Sequence, residues 1–258
     1  MPFEDNEDIC AKCGGSMWIV TELDGGIRGA ERCECFGVRR TRNRESKAGI
    51  PPNYAQATLE NFQLPGDNPV ARQGLSSVFM EVRRYAKEFP LTDKPGLLLV
   101  GNPGTGKTHL AVAALRILMT RGFDGVFFDY QTLLERIQRG WNTASGTADR
   151  EAYQLALDAE ILLLDDLGAR RISEWVEDTV AAIITHRCNH KKPLIATTNL
   201  PDPAAGDSLV TRPGEMPGTP RILKSLAELV GERARSRLFE MCRVVRMPNV
   251  EDYRLKRR

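Results

Sequence analysis

The chain has 258 residues, of which 41% are hydrophobic and 27% charged, and a formal net charge of +2. It is long enough for one large domain, or for a core with a small appendage. No apolar run approaches the ~20 residues needed to cross a bilayer. The acidic start, Met1 to Asp8, lacks the basic region and apolar core of a secretory signal, so the cytoplasm is the expected location.

Four of the six cysteines fall before residue 36, as Cys10-x-x-Cys13-Gly14-Gly15 and, after seventeen further residues, Cys33-x-Cys35. In a reducing compartment this pattern points to metal rather than to disulfides. All three histidines lie beyond residue 100, so the ligands of a zinc ion would be these four cysteines. Redox-active or free thiols are the alternative. The stretches Trp18–Thr21 and Gly25–Ile27 suggest a short hairpin around Asp24-Gly25, and so small a unit would draw its folding energy from the metal. The segment 38–48 then carries Arg39, Arg40, Arg42, Arg44 and Lys47. It reads either as a solvated linker or helix, or as a contact for nucleic-acid phosphates. Pro51-Pro52 marks a boundary, giving a unit of residues 1–50 and a larger one of 51–258.

Apolar positions at Leu75, Val78, Phe79, Val82, Tyr85 and Ala86 have helical spacing within Gln73–Phe89. The turn Asp93-Lys94-Pro95-Gly96 leads to the apolar run Leu97–Val100. Next come Gly101-Asn102-Pro103-Gly104-Thr105-Gly106-Lys107-Thr108 and a helix-like stretch from His109. This is the G-x-x-x-x-G-K-[ST] phosphate loop in its strand–loop–helix setting. Its backbone N–H groups and the following helix N-terminus would hold a polyphosphate, Lys107 would reach the terminal phosphates, and Thr108 would hold Mg²⁺. After a stop at Gly122, Val126–Asp129 reads as a strand and Gln131–Arg139 as a helix. Trp141–Ala148 reads as a loop and Asp149–Asp158 as a short helix.

Ile161–Leu164 is a buried-strand pattern ending in Asp165 and Asp166. This matches a Walker B element, in which Asp165 would bind the Mg²⁺ shell and Asp166 would orient or deprotonate the attacking water. A helix N-cap after a buried strand is the alternative. Ile172–Asn189 reads as a helix, and Pro193–Asn199 as a strand whose closing amide would fall beside the phosphate site or simply form a turn. Residues 201–220 hold five prolines and three glycines and read as a loop. A helix over Arg221–Glu240, a strand at Arg243–Met247 and a polar tail at Glu251–Arg258 complete the chain.

Strands alternating with helices predict an α/β fold: a parallel sheet of five strands, at 97–100, 126–129, 161–164, 194–198 and 243–247, with helices on both faces. No Asn-Lys-x-Asp motif is present, which favours ATP over GTP. The Thr197-Thr198-Asn199 strand end, in place of an arginine-rich lid, separates the chain from small-molecule kinases. A phosphotransferase with a small acceptor is a minor alternative.

Four strings, "GNPGTGKTHLA" at 101–111, "LLLDDLG" at 162–168, "ATTNL" at 196–200 and "GERARSRL" at 231–238, together resemble the DnaC/DnaI-type replicative helicase loaders. These are AAA+ ATPases related to DnaA and to the transposition helper IstB. "AGIPPNYAQATLENF" at 48–62 and "NVEDYR" at 249–254 are similar to the start and end of that region. The resemblance implies the AAA+ P-loop sheet with strand order 5-1-4-3-2. It also implies an ATPase that assembles on single-stranded DNA and delivers a hexameric replicative helicase in the initiation of DNA replication. The amino-terminal four-cysteine zinc unit would then dock the helicase. An IstB-like ATPase regulating a transposase on double-stranded DNA is the second expectation.

The same resemblance makes Gly101 through His109 the nucleotide-binding set and Lys107 and Thr108 Walker A. Asp165 and Asp166 become Walker B, Thr108 and Asp165 the magnesium ligands, and Asn199 sensor I. Arg237 matches the arginine finger that would reach a neighbouring subunit's γ-phosphate when ATP is bound, with Arg233 and Arg235 as rivals; a solvated basic helix is the alternative for all three. Two departures stand out: Asp166 where many AAA+ proteins have Glu, and a longer loop at 201–220. The sequence also leaves no room for a carboxyl-terminal helical lid.

Overall fold

The computed structural model describes residues 9–23, 27–142, 147–170, 173–202, 224–250 and 252–253. An antiparallel hairpin, β1 (Trp18–Leu23) and β2 (Ile27–Arg32), pairs Trp18 with Arg32 and Val20 with Ala30. Its expected tip at Asp24-Gly25 lies outside the described residues. The basic segment is helix α1 (Cys35–Lys47), which ends at Ala48 before Gly49 at φ +71, a left-handed position that glycine adopts without strain. After a single 3₁₀ turn at Pro52–Tyr54 comes α2 (Pro69–Glu88). Asn68 caps it by accepting from the Ala71 N–H at 2.9 Å, and Pro69 occupies the first turn, where no N–H is needed.

The central sheet contains β3 (Gly96–Val100), β4 (Gly125–Asp129), β5 (Ile161–Asp165), β6 (Leu194–Thr198) and β7 (Cys242–Arg246). All pairings are parallel and the spatial order is β4-β5-β6-β3-β7. Counted within this sheet, that is the expected 5-1-4-3-2. The inner strands β3, β5 and β6 are mostly buried because both faces are covered, whereas edge strand β7 carries Arg243 and an exposed Arg246. Leu98, Val100, Leu162 and Leu164 pack into one apolar cluster with α4 (Tyr130–Asn142), α5 (Thr147–Asp158), α6 (Glu174–Asn189), α7 (Leu226–Val230) and α8 (Glu232–Met241). Leu97, Leu99, Ile161 and Leu163 pack into the other with α2 and α3 (Lys107–Thr120).

Several boundaries differ from the sequence reading. Trp141 and Asn142 continue α4, and Thr147 and Ala148 already belong to α5, so both ends of the expected loop are helix, while residues 143–146 lie outside the described residues. The single helix expected over Arg221–Glu240 is two, divided at Gly231 (φ +84). Most of the 201–220 loop lies outside the described residues, as does Ile172, the first residue of the helix expected over Ile172–Asn189. Ser173 caps α6 through the Val176 N–H, and Ser225 and Glu228 form a reciprocal capping box on α7.

The core is stapled by Arg187, which is fully buried. Its Nη1 donates to the carbonyls of Ala156 (3.0 Å), Ala159 (3.0 Å) and Leu157 (3.3 Å), and its Nη2 to Pro193 (2.6 Å) and Glu160 (3.4 Å). One guanidinium thus satisfies the open end of α5 and the approach to β6 together. Burial lowers its pKa to about 10, so it stays charged at neutral pH. Among the described residues, no helix is long and apolar enough to cross a membrane.

Candidate nucleotide site and cysteine cluster

β3 delivers the chain to the phosphate loop and α3 leaves it at Lys107. Gly104 (φ +74) and Gly106 (φ +93) take left-handed conformations that would strain any other residue. Thr105 and Lys107 are buried, and the Thr105 hydroxyl donates to Asn102 O at 2.9 Å. The Lys107 ammonium donates to Asn102 O at 2.8 Å and to Asn199 Oδ1 at 2.6 Å. Asn199 in turn donates through Nδ2 to Asp166 Oδ1. The expected sensor amide therefore links the Walker A lysine to the second Walker B carboxylate.

β5 and β6 lie side by side and bring the remaining groups together. The Thr108 hydroxyl donates to Asp165 Oδ1 at 2.9 Å, and the Thr197 hydroxyl donates to the same oxygen at 2.6 Å. Thr197 Oγ1 also accepts from the Asp166 N–H at 2.9 Å, so one hydroxyl aligns both carboxylates. Burial raises the Asp165 pKa, while the hydrogen bonds from Thr197 and Thr108 oppose that shift. A half-buried carboxylate held beside a threonine hydroxyl is a fitting oxygen-donor pair for Mg²⁺. Asp166 sits at φ +58, a conformation unusual outside glycine that Asp tolerates better than most. It turns the second carboxylate off the strand direction and toward Asn199.

The His109 side chain contacts the lead-in segment before α2. Its Nε2 lies 2.8 Å from Thr58 O and its ring packs against Phe62, with centroids 5.5 Å apart. Phe62 itself covers Gly106, where an added Cβ would come within 2.6 Å of the ring. The roles of Thr197 and Phe62 escaped the sequence reading. The first is one residue of a strand end read only for Asn199; the second is an aromatic in an irregular lead-in segment.

The three arginines of α8 have different surroundings. Arg235 forms a two-pronged ion pair with Asp202, Nε to Oδ2 at 2.6 Å and Nη2 to Oδ1 at 3.2 Å, and lies over the Phe239 ring. The Asp202 side chain is only 3% exposed, so this pair ties α8 to the chain leaving β6. Arg233 is exposed, and Arg237 is partly exposed with its guanidinium 2.6 Å from Glu240 one turn on.

The four cysteines converge, with ligand atoms all within 4.8 Å of one another. Cys10 and Cys33 sulfurs are 3.8 Å apart, and those of Cys13 and Cys35 3.4 Å. A tetrahedron with Zn–S of about 2.3 Å has S–S edges of about 3.8 Å, so the set fits zinc. Gly14 and Gly15 take positive φ after the first pair, and the Gly14 N–H donates to Cys10 O at 2.8 Å. The second pair is spaced C-x-C, and Cys35 is the first residue of α1. Burial opposes ionisation of Cys13, but hydrogen bonds from Cys35 and from the Met17 and Gly15 backbone together outweigh it and lower its pKa to about 7. The bond to Cys13, then burial, raises Cys35 to about 12.

α1 is docked rather than solvated along its whole length. Arg44 pairs with Asp124 at 2.6 Å and Glu45 with Arg116 at 2.8 Å. Ala48 is buried, and its carbonyl accepts from the Phe127 N–H on β4 at 2.7 Å. Arg39 and Arg40 remain exposed.

The sheet order, with Asn199 set between the two Walker elements, places the chain in the AAA+ class of ATP-binding proteins. Residues 71–207, which include the phosphate loop, both aspartates and Asn199, match the family described as IstB-like ATP binding protein, and the chain belongs to that family. The replicative helicase loader DnaC of Escherichia coli (strain K12) is 25% identical over 191 residues, 73% of this chain and 74% of that protein. A crystal structure of the DnaC helicase loader superposes with a TM-score of 0.60 at 28% identity, covering 77% of this chain and all of that one. AMPPCP-bound DnaA from Aquifex aeolicus shares the fold, with a TM-score of 0.55 at 21% identity, over 81% of this chain and 54% of that one.

Proposed function

We propose that this chain is an ATP-switched loader of a hexameric replicative helicase, acting in the cytoplasm during initiation of DNA replication. The observation that carries this reading is the similarity to DnaC across about three quarters of both chains, together with the intact set of nucleotide-site groups. In the proposed cycle, the loop amides and Lys107 bind the ATP polyphosphate. Thr108 and Asp165 would hold Mg²⁺, which supplies positive charge to the phosphates. Asp166 orients and deprotonates the attacking water, and Asn199 senses the terminal phosphate. Lys107 must exchange its bond to Asn199 for one to phosphate, so the state of the nucleotide is felt at Asp166.

Arg237 is assigned as the finger that completes a neighbour's site when ATP-bound chains assemble on single-stranded DNA. An arginine supplied in trans makes hydrolysis report on assembly. Residues 1–50 act as the helicase-docking unit, folded around zinc held by Cys10, Cys13, Cys33 and Cys35, and residues 51–258 as the ATPase. The test is capture of a purified replicative helicase by the full chain, with ATP and with ADP. Capture in either state supports the reading, and no capture in both refutes it.

A second reading draws on the family match itself: an IstB-like ATPase that regulates a transposase. It calls for ATP-dependent polymers on double-stranded DNA. Filaments confined to single strands would count against it.

A further inference from the structure

The phosphate loop is clasped from both sides by segments outside the Walker elements. β7 carries the chain to the loop, and the strand pairing continues beyond it: the Met247 N–H donates to Val100 O at 2.8 Å. A Cβ on Gly101 would come within 2.6 Å of the Met247 side chain. Asn102 Nδ2 donates to Asn249 Oδ1 at 3.1 Å, and the Tyr253 N–H donates to Gly104 O at 3.1 Å. Between these two ties, the Asp252 carboxylate lies against Gly104, in the space an added Cβ would fill. From the other side Phe62 covers Gly106, and the Tyr253 hydroxyl donates to Gln63 Oε1 at 2.5 Å. The tail and the lead-in segment therefore meet across the loop.

Asp252 brings a carboxylate into contact with the backbone whose N–H groups attract a polyphosphate. The two anions repel within a few ångströms, in surroundings less screened than water. Glycine at 104 serves this contact as well as the left-handed turn, because any side chain there would drive the tail off.

We propose that residues 247–250 with Asp252 and Tyr253 form a strap that competes with nucleotide for the phosphate loop. Asp252 and Tyr253 lie on Gly104, in the space the polyphosphate would approach. Binding of the polyphosphate expels the Asp252 carboxylate, breaks the Tyr253–Gln63 tie and moves the tail. Nucleotide occupancy is thereby converted into a change in the carboxyl-terminal segment. The proposal rests on ATP binding at this loop.

The test is stopped-flow and equilibrium binding of a fluorescent ATP analogue with Mg²⁺ to the full chain and to Asp252→Asn, Tyr253→Phe and Gln63→Ala. Asp252→Asn removes the charge at nearly constant shape. It should tighten binding about three- to tenfold, chiefly through faster association, and the gain should shrink as salt rises. Tyr253→Phe and Gln63→Ala should speed association by a similar factor without that salt dependence. Unchanged or weakened binding in Asp252→Asn would overturn the strap and make the tail a bystander or a wall of the pocket. No binding by the unaltered chain would instead remove the ATP-binding premise, and the strap with it.

Discussion

Lys107 and Asn199, ninety-two positions apart, meet at 2.6 Å at the carboxyl ends of neighbouring strands. The contact exists because β6 is inserted beside β3, with Leu97 opposite Ile195 and Val100 opposite Thr198. Asn199 also reaches Asp166, so one amide joins the group that would hold phosphate to the group that would activate water. Lys107→Ala should therefore abolish nucleotide binding in a titration calorimeter. Asn199→Ala should bind nucleotide yet release phosphate about a hundredfold more slowly. Hydrolysis at the normal rate in Asn199→Ala would dissociate this amide from the chemistry.

Arg235 and Arg237 should separate on substitution. Arg235→Ala leaves the buried Asp202 carboxylate without its partner, and a loss of about 3–5 kcal/mol in chemical denaturation is expected. Arg237→Ala breaks a half-exposed pair with Glu240 and a weaker contact with Cys188, and should fold with near-normal stability. It should bind ATP as a monomer but lose the hydrolysis stimulated by assembly. Loss of binding in the isolated Arg237→Ala monomer would show that the residue acts on its own chain.

β3, β4 and β5 were legible because each holds an apolar run of three or four residues bounded by Gly, Glu or Asp, the pattern of a parallel strand covered on both faces, while β7 showed only Val244-Val245 between two arginines. The phosphate loop and the Asp165-Asp166 pair were legible for a chemical reason: their residue types and spacing are dictated by the polyphosphate and the metal. The docking of α1 was not. Its charges read as solvated, and their partners Asp124 and Arg116 lie 80 and 71 positions away. Trp141–Ala148 read as a loop from its small polar residues, yet Trp141 packs edge-on against Tyr153 and Trp175 and extends α4. Tertiary packing overrode local propensity there. The tail over the loop carries no local signal, because Asp252 and Gly104 meet only once β7 lies beside β3.

Arg187 gives a stability prediction independent of nucleotide. Arg187→Met retains much of the volume but strips donors from five carbonyls around α5 and β6. The expected loss is about 3 kcal/mol or more in urea denaturation. A loss below about 0.5 kcal/mol would mean that water replaces the guanidinium without penalty.

The cysteine cluster should bind one zinc per chain by elemental analysis, and Cys33→Ser should lose it. Because the hairpin buries little apolar surface, a chelator should unfold the cysteine unit while leaving ATP binding by the sheet domain in place. A chelator that leaves the hairpin's hydrogen exchange unchanged would contradict a structural metal.

The measurement closest to the central claim is helicase loading on a closed circle of single-stranded DNA carrying an annealed strand. A hexameric ring cannot thread onto a circle from an end. With purified replicative helicase and ATP, the full chain should bring about displacement of the annealed strand, and Lys107→Ala should not. Equal displacement with and without the chain, or none under any condition, would contradict the loader account.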